Sequence, residues 1–122
     1  MGLDQYAYFL NEEETINDKE QEDFYWRKHN RLQGWMENLW ESKGGDGEFN
    51  VTSMELTEED LTTLQMDIEN QGLPETSGFF YGNDSYDDYK GEYGYYEKDK
   101  QFVEGALSAV REGKRVVYYC WW

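Results

Sequence analysis

Lys28 and His29 are ionisable residues set in a run of rings and aliphatic side chains, which makes them the first place to look for chemistry. Placed at about 100° per residue on a helix from Asp18 to Ser42, residues Phe24, Tyr25, Leu32, Trp35, Met36, Leu39 and Trp40 share one broad arc. Lys28 then projects between Trp35 and Leu39, and His29 between Met36 and Trp40. An ionisable group among rings must be paired, reach past its neighbours to water, or shift its pKa. Either Lys28 snorkels and His29 is a hydrogen-bonded core histidine, or Tyr25, Trp26, Lys28, His29 and Asn30 line a pocket for an anionic or polar ligand. A second stretch would complete that pocket. In Thr76-Ser77-Gly78-Phe79-Phe80-Tyr81-Gly82, two glycines flank three rings beside small hydroxyls. Glycine lets backbone approach a ligand closely and rings form a stacking wall, although a tight turn into a buried aromatic stretch has the same composition. The pocket reading expects Lys28 to donate to hydroxyl or carbonyl oxygens of residues 76–82.

Other chemistries have little footing. The single cysteine, Cys120, allows neither an intrachain disulfide nor a zinc cluster and suits a reducing cytosol. Asp84, Asp87, Asp88 and Glu92 miss the ligand spacing of a calcium loop. No phosphate-binding loop, nucleophile elbow or dinucleotide fingerprint is present. Catalysis of the Ser/His/Asp or Cys/His kind would have to pass through His29, for which no nucleophile is indicated. The expectation is therefore no metal, no cofactor and no catalytic residue, with a binding protein favoured over an enzyme.

The charge points to a partner class. Net charge is −16 over 122 residues, spread unevenly: −7 in residues 1–23, +1 in 24–42, −7 in 43–72, −4 in 73–100 and +1 in 101–122. Phosphate binding needs a field of lysine and arginine, so direct nucleic-acid binding is not expected, and an anionic membrane is disfavoured likewise. No apolar run approaches the roughly 20 residues of a membrane span, and the first residues lack the basic region of a signal peptide. A protein with a basic surface is the natural partner, met by an acidic surface of Glu12, Glu13, Glu14, Glu58, Glu59 and Asp60 that presents carboxylates much as DNA presents phosphates.

These residues need elements to hold them. Leu3–Leu10 is short, bulky and aromatic and predicts a strand, followed by a charged loop over Asn11–Glu20. The amphipathic pattern predicts one continuous helix over 20–42, ended by Gly44 and Gly45, with Leu32, Trp35, Met36 and Leu39 buried. Glu48–Leu56 predicts a second strand. Thr57 followed by Glu58, Glu59 and Asp60 is a helix start of capping-box type, and that helix runs until Gly72. Leu73–Tyr96 predicts a long aromatic, glycine-rich loop, Lys98–Glu112 a third helix stopped by Gly113, and Lys114–Trp122 a buried strand. The whole is a single α+β domain over 1–122, a small sheet of about three or more strands packed with about three helices.

The start Met1-Gly2-Leu3-Asp4-Gln5-Tyr6, the run Tyr25-Trp26-Arg27-Lys28-His29-Asn30, the later Trp35 and the stretch Thr76 to Gly82 together resemble a family of small uncharacterised bacteriophage and prophage proteins. Members open with MGLD and an aromatic, then carry YWRK-x-N and TSGFF-x-G stretches in the same order, so the resemblance spans most of the chain. It carries the motif positions onto Tyr25, Trp26, Arg27, Lys28, Asn30, Thr76, Ser77, Gly78, Phe79 and Gly82; His29 departs from the pattern. The resemblance implies a phage genome and a host cytoplasm as the workplace. The leading expectation is an accessory protein that binds and modulates a host protein through its acidic surface. The alternatives are an anion or small-molecule binder or enzyme at the Lys28 and Thr76–Gly82 regions, and a minor virion component.

Overall fold

The strand at the N-terminus alternates with period two, and that alternation organises the rest of the chain. Asp4, Tyr6 and Tyr8 point to one face while Gln5 and Ala7, both buried, point to the other. The computed structural model describes residues 3–74 and 94–122. Its elements run β1 (Asp4–Leu10), a short 3-10 turn (Ile16–Asp18), β2 (Phe24–Arg27), α1 (Asn30–Ser42), β3 (Thr52–Leu56), α2 (Glu58–Glu69), α3 (Tyr96–Arg111) and β4 (Arg115–Trp121). The four strands form an antiparallel sheet in the order β2-β1-β4-β3, in which β1 and β4 pair along their whole length from Asp4 opposite Trp121 to Leu10 opposite Arg115.

The three helices of the described residues lie on the Gln5/Ala7 face. Leu32 and Met36 of α1, Leu61, Leu64 and Ile68 of α2, and Phe102, Val103 and Ala106 of α3 join Ala7, Trp26, Val116, Tyr118 and Cys120 of the sheet in one core. Burial of this area from water is the main stabilising term. Chain ends of the helices follow local chemistry. The Thr57 hydroxyl accepts from the Asp60 amide at 3.1 Å and the Asp60 carboxylate accepts from the Thr57 amide at 2.9 Å, the reciprocal capping box that starts α2. Burial pushes the Asp60 carboxyl up, but hydrogen bonds from Lys43 and Thr57 outweigh it and hold the group below the ordinary carboxylate value. Gly44 and Gly113, at φ +97° and +93°, end α1 and α3 in the left-handed conformation that a side chain disfavours.

The continuous helix expected over 20–42 is not formed. Residues 24–27 are a strand against β1, with Tyr25 opposite Tyr6 and Trp26 opposite Gln5; the chain turns at Lys28, at φ +57°, and the helix begins only at Asn30. Rings at 24 and 25 satisfy a helical arc and a strand equally well, but Trp26 falls off that arc and is fully buried here, as a strand alternating Phe24 and Trp26 inward requires. Within the true α1, Leu32 and Met36 are fully buried as expected, while Trp35 and Leu39 are only half-buried. The other boundaries shift by a few residues: β3 begins at Thr52 rather than Glu48, α2 ends at Glu69 rather than Gly72, and α3 begins at Tyr96.

Replacing Leu32 with Ala removes a fully buried side chain from the middle of this core and should cost about 2 to 5 kcal/mol in denaturant unfolding. A loss below about 0.5 kcal/mol, the size of an ordinary surface change, would mean that α1 does not present this face to the sheet.

Candidate functional site

Two places on the fold gather polar or aromatic groups. The first lies under the β2–α1 turn and takes in part of the pocket expected from the sequence. Gln5, buried at the centre of β1, donates from Nε2 to the His29 carbonyl at 3.0 Å and to the Tyr118 hydroxyl at 2.9 Å, while its Oε1 accepts from the His29 amide at 2.8 Å. The Tyr118 hydroxyl donates onward to Gln33 Oε1 at 2.6 Å. Asp99, on the first turn of α3 and 0 % exposed, accepts from Trp26 Nε1 at 2.9 Å, and its second oxygen lies 2.6 Å from His29 Nε2. The Tyr95 ring covers the imidazole in a parallel stack at 4.2 Å and its hydroxyl donates to the Arg27 carbonyl.

This network brings together Trp26 and His29 of the expected pocket, both buried, and Asn30, which follows His29 at the start of α1, is buried too. Tyr25 faces the other side of the sheet, and Lys28 is exposed on the turn, so the apolar arc on which Lys28 was to sit does not exist. Thr76, Ser77, Gly78, Phe79 and Gly82, with the expected Lys28 contact, lie outside the described residues. A His–Asp pair could serve as a general base. Here the imidazole is 2 % exposed beneath Tyr95, and its partners tie β1, β2, α3 and β4 together, which is a structural task. Cys120 is no nucleophile either: burial pushes its thiol up to about 11, and Sγ donates to the Phe49 carbonyl at 3.2 Å. Among the described residues no group of three histidines, cysteines or carboxylates is arranged to hold a metal ion.

The second place is the opposite face of the sheet, which among the described residues no helix covers. Pairing registers set its side chains in rows: Tyr25, Tyr6, Tyr119 and Ser53 run across all four strands, with Arg27, Asp4 and Trp121 on one side and Tyr8, Val117 and Glu55 on the other. The Tyr6 ring centre is 5.3 Å from Tyr25, 5.9 Å from Tyr119 and 6.5 Å from Tyr8. Tyr25 donates to Asp4 at 2.5 Å; that bond, with burial and the carboxylate charge, pushes its phenol up to about 12.

The acidic loop after β1 folds over the far end of this face and buries Leu10 and Val117 there, apart from the main core. Arg115 pins it by donating to the carbonyls of Asn11 and Glu14. Between that loop and the sheet runs an open cleft of about 560 Å³ lined by Tyr8, Ile16, Val51, Ser53, Arg115 and Tyr119 among others. At its rim Val51 is 58 % exposed and held at φ +51°, a strained setting for a β-branched residue.

Of the expected acidic surface, Glu12, Glu13, Glu58 and Glu59 are exposed, whereas Glu14 accepts from the Asn11 amide at 3.0 Å and Asp60 caps α2. Sequence reasoning passed over Tyr6, Tyr8 and Tyr119; the signal was the alternation Tyr6–Tyr8 within a strand already recognised. No family model matches the chain, and no curated protein or solved structure shows significant similarity to it. Among the described residues no helix is long and apolar enough to cross a membrane.

Removing Asp99 strands two buried donors together, so Asp99→Ala should cost about 3 to 5 kcal/mol in unfolding, and a loss under about 1 kcal/mol would contradict the network. Tyr25 gives a second check. Because its folded pKa is raised from 10.0 to about 12, its contribution to stability is complete below pH 10 and is lost as pH rises through about 12. Ultraviolet phenolate absorbance of Tyr25→Phe against the parent should remove a titration near that upper value; removal of one at the ordinary value would refute the Asp4 bond.

Proposed function

We propose that the chain is a phage-encoded accessory protein that works in a host cytoplasm by binding, and so modulating, a host protein with a basic surface. The observation that carries this is the placement of the acidic segments. β1 ends at Leu10 opposite Arg115 and β3 ends at Leu56 opposite Val116, so residues 11–23 and 58–60 leave the sheet at the same end of β4. The first of these segments carries seven carboxylates against one lysine. Carboxylates concentrated at one end set up a directional field, which speeds encounter with a cationic partner and rejects anionic ones. The ordered phage-family motifs support the setting. The anion-pocket reading has less support: Lys28 is exposed on a turn, and His29 and Asn30 are buried.

Affinity capture from host lysate, followed by titration of the purified partner, tests the proposal. The partner should be basic, and association should slow steeply between about 50 mM and about 500 mM salt. The combined Glu12→Gln, Glu13→Gln and Glu59→Gln changes should weaken it further at the lower salt. A partner whose association is indifferent to salt and to these neutralisations would refute the proposal.

A further inference from the structure

The sheet face that no helix covers among the described residues has a chemistry that selects one kind of occupant. Its centre is four tyrosines, Tyr6, Tyr8, Tyr25 and Tyr119, whose ring faces are electron-rich. Carboxylates border them: Asp4 beside Tyr25, and Glu55 in the Tyr8 row. The phenols of Tyr6 and Tyr8 are raised first by burial, then by Asp4 and Glu22 at Tyr6 and by Glu22 at Tyr8. Among the described residues two arginines share the face. Arg115 is committed to Asn11, Glu14 and Glu55, and Arg27 stands at the corner opposite Asp4.

An incoming strand would not find a ready edge. On β2 the carbonyls of Tyr25 and Arg27 accept from Lys98 at 2.8 Å and from Tyr95, and on β3 the Glu55 carbonyl accepts from Lys43 at 2.9 Å. A partner therefore meets this sheet on its face. A planar guanidinium stacks on aromatic rings and pairs with carboxylates at once, which a lysine ammonium does less well.

We propose that this face docks an arginine-bearing segment of the basic partner, with guanidinium groups stacked on Tyr6, Tyr8, Tyr25 and Tyr119 and paired with Asp4. This deepens the proposed function and rests on it.

The test uses defined probes, nona-arginine and nona-lysine peptides, titrated calorimetrically onto the full chain and onto the charge-neutral variant Tyr6→Leu/Tyr119→Leu, with sedimentation run in parallel. The parent should prefer the arginine peptide, and the double change should weaken that peptide about fivefold or more while lysine-peptide affinity falls less. Should the double variant unfold, Ser53→Arg, an exposed change in the same row as Tyr119, should weaken the arginine peptide while leaving the fold intact. Equal binding by parent and variants overturns the docking face and leaves the acidic-partner reading standing. Failure of both peptides to bind the parent overturns the two together. A parent that sediments as a dimer and a variant that does not would assign the face to a second copy of this chain, and the docking proposal falls.

Discussion

The buried carboxylate of Asp99 is the interaction on which the arrangement depends. It holds the indole of Trp26 at 2.9 Å and the imidazole of His29 at 2.6 Å, and so fixes the end of β2 and the start of α1 against α3. A carboxylate inside a protein is costly unless each oxygen is satisfied, and here both are. With Trp26 turned inward, strand alternation turns Tyr25 outward, where it meets Tyr6 on the far side of the sheet. The buried network and the half-buried tyrosine row are therefore two consequences of one constraint.

A sheet with helices on one face has to manage the other. In this chain a short acidic loop, pinned by Arg115, closes the far end over Leu10 and Val117, and the remainder is surfaced with tyrosines that pair a large apolar ring with a polar hydroxyl. The edges are treated separately: the Glu55 carbonyl of β3 accepts from Lys43, and the Tyr25 and Arg27 carbonyls of β2 accept from Lys98 and Tyr95. Such an edge resists pairing with another chain, whereas the face carries no helix among the described residues. The concentration of carboxylates next to that face gives it a sign as well as a shape.

Where local chemistry decides a structure, the sequence was readable. The capping box at Thr57 and Asp60, the glycine stops of α1 and α3, the buried Leu32 and Met36, and the two strands at either end all follow from neighbours within a few residues. β2 was not readable in this way, because Phe24 and Tyr25 suit helix and strand alike and the deciding partner, β1, lies some twenty residues earlier. The network was less visible still: Gln5 to Tyr118 spans 113 positions, and His29 to Asp99 spans 70. Pairing at such separation leaves no periodic trace. Of the candidate site, the acidic surface could be read from composition. The tyrosine row could not, since it needs the strand order β2-β1-β4-β3 to assemble it.

Both the buried network and the tyrosine row require residues 24–27 to be a strand whose Tyr25 lies beside Tyr6. Nuclear Overhauser contacts across the β1–β2 pair measure this most directly. The expected result is backbone contacts between Tyr6 and Tyr25 and between Gln5 and Trp26, together with indole-to-Phe102 ring contacts from Trp26. Sequential helical contacts running from Phe24 through Arg31, with no cross-strand contacts to β1, would contradict it.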